Sequence, residues 1–310
     1  MRVMAALRRR GWSGPGSQSG MALVLTLAVL VIITAMVVEF AYGVFVQTSF
    51  LRNWQTSEKL SLAARSGVTL GAGLIDYASK QYSYTYPGTV DVPPASPYST
   101  ESADSFNPLV ALRIEDETSK FNLNTLVQQN GELNDKSYQI FKRLLENLSL
   151  DPLLADAVAD WIDRDQIARV SGSEDGAKNA PIETVDELLL IPGMDREVYD
   201  KLVPYVTTYG NGDVVNININ GAKAELIMAL NKDIGADMAQ RVIDRRELKP
   251  FKSKGEVNSV PGFEGLLDLP ITVRGDYFSI VSVAASEDGI KRSIECVIDS
   301  KGYIRYWKEM

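Results

Sequence analysis

The chain has no histidine and one cysteine among its 310 residues. Without histidine there is no imidazole base, no Ser-His-Asp triad and no imidazole metal ligand. A lone Cys296 rules out an internal disulfide and a thiolate zinc cluster. Its place in a β-type run predicts a small buried side chain. Positive charge is also scarce. Against 40 Asp and Glu stand 32 Lys and Arg, a net charge of −8, and such a chain repels a phosphate backbone. No Gly-rich phosphate loop, serine-based triad or pair of catalytic acids has supporting context. Charge is missing altogether from the 18 residues Met21 to Val38. At ~1.5 Å per residue that run reaches roughly 27 Å, close to the thickness of a bilayer's hydrocarbon core.

Arg2, Arg8, Arg9 and Arg10 precede the run and Glu39 closes it. This order places the N-terminus in the cytoplasm and the remainder outside. A secretory signal has a shorter apolar region with its small residue after it, whereas here Gly20 lies before the run. Apolar residues continue at helical spacing through Val44, Phe45, Leu51, Trp54, Leu60, Val68 and Leu74. One helix over about 21–80 is predicted, transmembrane over 21–38 and amphipathic beyond. Residues 83–108, rich in Pro, Ser, Thr and Tyr, read as a loop. Tyr82, Tyr84 and Tyr86 alternate where it begins, as a partner patch or as packing on the domain surface. Val110, Leu112 and Ile114 alternate as in a strand.

From 121 to 263 the sequence repeats itself. FNLN (121–124) echoes ININ (217–220), ADAVADWIDR (155–164) echoes ADMAQRVIDR (236–245), and APIETVDELLLIPGM (180–194) echoes KPFKSKGEVNSVPGF (249–263). The first copy is longer by two insertions, one between its first two blocks and one inside QIARVSGSEDGAKN (166–179). Paired helices of this kind pack against one another. After 266 the period changes to that of strands: 276–284, 290–299 and 303–307 read as an antiparallel meander with turns at 287–289 and 300–302.

Two segments carry candidate chemistry. The first is WIDRD followed by SGSED, which offers Asp163, Asp165, Glu174 and Asp175 in a glycine-containing loop. Calcium takes 6–8 hard oxygen ligands, and carboxylates at a helix C-terminus gain from a nearby cation. The residues alone leave a calcium loop and a solvated acidic loop as alternatives. The second is the set of turns at 188–195, 229–237 and 259–265, which are similar to helix-hairpin-helix elements that hold a DNA phosphate. Residues 121–265 hold 24 acidic and 16 basic side chains, the wrong balance for that task. The basic run 245–254 reads as a solvated face.

A basic leader ending in glycine, followed by an unbroken apolar helix, resembles the class III leader of type IV pilin-like proteins. Most such proteins carry glutamate at the fifth mature position. Counted from Met21 that position is Leu25, and the family lacking the glutamate is the minor pseudopilin protein K of type II secretion. This family also carries a W-x-D-x-D stretch, a Glu-Asp loop and an N-A-P motif. Here they are matched by Trp161, Asp163, Asp165, Glu174, Asp175, Asn179, Ala180 and Pro181. Ser173 stands where an alanine is usual, and the segment before Asn179 is short.

The resemblance implies an α+β, pilin-like fold: a long N-terminal helix and an antiparallel β-sheet, with a large inserted helical domain of duplicated helix-hairpin-helix (SAM-like) elements. The parts are a leader (1–20), the helix (21–80), a loop and first strand (81–120), the inserted domain (121–265, copies meeting near 210) and the meander (266–310). It implies cleavage between Gly20 and Met21 by prepilin peptidase, methylation of Met21, and calcium at Asp163, Asp165, Glu174 and Asp175 as one or two ions. It implies no enzymatic activity and a single-pass inner-membrane protein with its main domain in the periplasm. The implied place is the pseudopilus tip with minor pseudopilins I and J. Further implied partners are pseudopilin H, the major pseudopilin G, the inner-membrane assembly platform and secreted substrates, with no nucleic acid. The rivals from other classes are a membrane-anchored helix-hairpin-helix DNA-binding protein of a competence-type system and an anchored periplasmic hydrolase.

Overall fold

The computed structural model describes residues 18–96, 107–266 and 268–310. It forms two units, Met1–Glu58 and Lys59–Met310. Helix α1 (Gln18–Gln81) contributes to both. It starts three residues before the expected Met21, because Gln18 and Ser19 do not break a helix and Gly20 costs only ~1 kcal/mol against alanine. Residues 1–17 of the expected leader lie outside the described residues.

In the first unit the side chains from Met21 to Val38 are exposed, and this stretch is long and apolar enough to cross a membrane. Its only hydroxyls are satisfied within the helix. Thr26 donates to the Leu23 carbonyl at 2.8 Å and Thr34 to that of Leu30 at 2.7 Å. In hydrocarbon this self-satisfaction avoids an unpaired polar group.

In the second unit the rest of α1 lies on a five-stranded antiparallel sheet of order β1-β2-β7-β8-β9. The strands are β1 (Thr89–Ala95), β2 (Leu109–Asp116), β7 (Tyr277–Ala285), β8 (Lys291–Asp299) and β9 (Ile304–Glu309). Leu60, Ala64, Val68 and Ile75 of the helix bury against Leu112, Ile280, Ile294 and Cys296. The helix comes this close because Gly67 and Gly71 face the sheet. A Cβ at Gly67 would stand 2.2 Å from Ser282 Oγ and 2.8 Å from Leu112.

Strand β1 falls within the expected loop. Its Pro93 and Pro94 are tolerated because β1 is an edge strand, where a missing N–H need not break a ladder. The register with β2 slips between Val92 and Ala95, where the prolines stand.

Between β2 and β7, neighbours in the sheet, the chain runs through a helical region with its own core. The first copy comprises β3 (Phe121–Asn122), α2 (Asp135–Asn147), α3 (Leu154–Ile162), a 3-10 turn (Val185–Leu190), α4 (Arg196–Leu202) and β4 (Val206–Thr207). The second comprises β5 (Ile217–Asn218), α5 (Ala224–Ala229), α6 (Ala236–Leu248), a 3-10 turn (Lys254–Ser259) and β6 (Ile271–Thr272). Each copy closes on itself through a two-residue parallel pair, β3 with β4 and β5 with β6. Because β6 belongs to this closure, the second copy extends past 265. Phe121 and Phe141 stack at 5.3 Å in the helical core.

The two ends of the region are pinned together at the sheet. Thr118 Oγ1 accepts the N–H of Asp276 at 2.8 Å, and buried Glu117 accepts from the hydroxyls of Thr207 (2.6 Å) and Ser279 (2.8 Å).

Candidate metal site at the end of helix α3

The two copies part company at one residue. In the second copy α6 runs through Ile243, Asp244 and Arg245 to Leu248. In the first, α3 stops at Ile162 and Asp163 turns out in extended conformation. The extra residues of the first copy then leave the helix and come back. The Asn179 N–H donates to the Trp161 carbonyl at 3.0 Å, with Asn179 in the left-handed region at φ 54°. Glycines at φ 84° (Gly172) and 80° (Gly176) make the turns, a conformation that costs glycine nothing.

This excursion folds acidic groups onto the end of α3. One carboxylate oxygen from each of Asp163, Asp165 and Glu174 lies within 4.8 Å of the others. Asp163 is fully buried, yet its Oδ1 has no hydrogen-bond partner, and neither carboxylate oxygen of Glu174 has one. Buried polar atoms are ordinarily paired. Burial raises the Glu174 pKa, reinforced by the charges of Asp160, Asp163 and Asp165. Burial likewise raises that of Asp163, although Arg169 pulls the other way. The oxygens left without protein donors, Asp163 Oδ1 and both of Glu174, suit a hard cation such as calcium.

Asp175 is exposed and stands outside this group. Two residues absent from the expected set belong to it. Asp160 is fully buried one turn before Asp163, and Arg169 ion-pairs with both. The signal was present in the sequence as the only cation in the stretch 165–177.

Similarity to known proteins follows the same boundaries. Two profiles described as type II secretion system protein K match residues 119–211 and 217–274. The type II secretion system protein K of Klebsiella pneumoniae is 30% identical over 168 residues, covering 48% of this chain and 50% of that protein. That of Aeromonas hydrophila is 30% identical over 211 residues, covering 57% and 62%. The chain belongs to the type II secretion system protein K family. Its match spans less than two thirds of either relative's length. The fold is also that of a chain in the crystal structure of the GspK-GspI-GspJ complex from enterotoxigenic Escherichia coli. There the TM-score is 0.66 at 18% identity, covering 84% of this chain and 99% of that one.

The other residues singled out in this protein K family member are placed as follows. Gly20, Met21 and Leu25 lie on α1, with Met21 and Leu25 exposed. The turns that resemble helix-hairpin-helix elements have Gly193 at φ 84° and Gly262 at φ 100°. In both, a carboxylate of the chain accepts a backbone amide at the turn. Asp195 Oδ1 accepts the Val198 N–H at 2.8 Å, and Glu264 Oε2 accepts that of Gly262 at 2.8 Å. Tyr82, Tyr84 and Tyr86 line a cavity of about 490 Å³ together with Tyr77 and buried Asp116, and the rings of Tyr82 and Tyr84 are 5.7 Å apart.

Proposed function

We propose that this chain is a minor pseudopilin, a non-enzymatic structural subunit of the type II secretion pseudopilus. The apolar part of α1 anchors it in the inner membrane before assembly, with the N-terminus cytoplasmic and the main domain periplasmic, and packs among other helices afterwards. The observation that carries this reading is the helical region of 160 residues (117–276) set between adjacent strands β2 and β7 of a helix-on-sheet fold. That bulk, with Leu25 in place of an acid, suits an end of a fibre, since the subunit could not neutralise a neighbour's amine. Partners by family likeness are pseudopilins I and J at the tip, then H and the major pseudopilin G, with prepilin peptidase, the assembly platform and secreted substrates. The duplicated region is read as helix-hairpin-helix-like scaffolding. The carboxylates seated at its turns weigh against the DNA-binding alternative.

The same reading assigns cleavage between Gly20 and Met21, methylation of Met21, and calcium at Asp163, Asp165 and Glu174. Mass spectrometry of the membrane-extracted protein from cells with active prepilin peptidase is expected to find a chain starting at methylated Met21. An intact Met1 chain overturns the leader assignment. Labelled protein is expected at fibre ends only, and the Leu25→Glu variant along the fibre as well. Wild-type protein distributed along the whole fibre overturns the tip position.

A further inference from the structure

The acid cluster at the end of α3 carries a cation of its own. Asp160 and Asp163 are both fully buried, and Arg169 reaches both through the same nitrogen, Nη1. The backbone N–H of Arg169 donates to Asp160 Oδ2 at 2.8 Å, and the Ser173 hydroxyl donates to that oxygen too. Each oxygen of Asp160 therefore has a donor, and Asp163 Oδ2 has Arg169. The oxygens left without a partner all lie on the other members: Asp163 Oδ1 and the two of Glu174. The cluster is thus divided into a half that the chain satisfies and a half that it does not.

A guanidinium does not lose its proton in a protein, so its charge is a permanent part of the site. We propose that Arg169 is the resident cation of this loop. By bridging Asp160 and Asp163 it removes Asp160 from the ligand set and limits the loop to one divalent ion, held by Asp163 Oδ1, Asp165 and Glu174. This rests on the calcium reading above. With one such ion the four carboxylates and Arg169 leave a net charge of −1. A second divalent ion would meet the guanidinium at close range and find the oxygens of Asp160 in use. Backbone carbonyls and water complete the shell of the first, as calcium's ligand number requires.

The number of ions tests this directly. Native mass spectrometry of the full chain released from detergent, titrated with calcium, is expected to show one ion per chain. Arg169→Gln frees Asp160 Oδ1 and Asp163 Oδ2, the two oxygens its guanidinium holds, and is expected to take two. Arg169→Lys keeps a positive charge and is expected to stay at one. Two ions on the wild type or on Arg169→Lys, or one on a folded Arg169→Gln, overturns the proposal and leaves the calcium site standing. No ion on the wild type overturns the calcium reading itself. Should Arg169→Gln not fold, the wild-type and Arg169→Lys counts still decide.

Discussion

Asn220 grips the peptide groups of Phe251 from both sides: its Oδ1 accepts the Phe251 N–H and its Nδ2 donates to the Phe251 carbonyl, each at 2.9 Å. The same Nδ2 reaches the Val273 carbonyl at 3.3 Å. Asn124, its counterpart in the first copy, does the same to Ile182 at 2.8 and 2.9 Å and to the Thr208 carbonyl at 3.1 Å. One amide in each copy thus ties the first strand, the segment after the second long helix, and the closing strand. Among side chains that do not titrate, only asparagine and glutamine carry both donor and acceptor on one planar group.

Asn220→Ala is therefore expected to cost about 2–4 kcal/mol, because it strands buried backbone groups, each worth ~1–3 kcal/mol when unsatisfied. Asn124→Ala should cost somewhat less, since Asn124 is only partly buried. The midpoint of urea unfolding of the detergent-solubilised protein measures both. A shift below ~0.5 kcal/mol at Asn220 would show that the clamp is ornamental.

The close approach of α1 to the sheet makes a paired prediction. At Gly67 a methyl group meets Ser282, Leu112 and Val110 at 2.2–2.8 Å, while at Gly73 it meets nothing within 4 Å. Gly67→Ala is expected to destabilise by ~1–3 kcal/mol through overpacking. Gly73→Ala is expected to be neutral or to stabilise by up to ~1 kcal/mol through helix propensity. Equal melting temperatures for the two variants would contradict the packing seen here.

The repeat was legible because FNLN and ININ keep residues with one task each: the apolar positions fill the core and the second asparagine forms the clamp. The meander was legible because β7 alternates buried and half-buried residues along its length. Strand β1 was not legible, because proline reports local preference and not position at a sheet edge. The closing pairs were hidden for a related reason. Val206–Thr207 and Ile271–Thr272 are two residues each, too short for any period, and exist only because a distant partner strand is present. At the acid cluster the sequence offered Asp163, Asp165, Glu174 and Asp175 together; the structure gathers the first three and adds Asp160, which sits inside an apolar helix. Side-chain direction, which sequence order does not report, groups them.

Asp116 gives a pH dependence with a definite sign. It is buried at the joint between sheet and helical region, where it accepts from Asn218 Nδ2 at 2.6 Å and the Thr118 N–H at 2.9 Å. Burial raises its pKa from 3.8 to about 6, against the pull of those hydrogen bonds. A raised carboxyl pKa means that the fold favours the protonated form. That contribution is complete below about pH 4 and is lost as pH rises through about 6. Asp116→Asn removes the titration. The stability of the wild type relative to Asp116→Asn is expected to fall by up to about 3 kcal/mol between pH 4 and pH 7. A difference that stays flat, or grows with pH, would sink the assignment.

Removing calcium should loosen the first copy alone. With a cation bound, the unpaired oxygens of Asp163 and Glu174 gain a partner, and binding stabilises the folded state by mass action: ~2.7 kcal/mol at a free concentration 100 times the dissociation constant. Chelation is expected to lower the melting temperature and to speed amide exchange in 163–179, while exchange around the clamp at Asn220 stays unchanged. Glu174→Gln removes a ligand charge, so its melting temperature should no longer respond to calcium, whereas Asp175→Asn should respond as the wild type does. Because burial and like charges raise the pKa of Glu174, protons compete with the ion there, and the calcium response should fade as pH drops toward that of an unperturbed carboxyl group. A wild-type melting temperature indifferent to calcium at neutral pH, or a response that Glu174→Gln leaves intact, would remove this site from the protein's function.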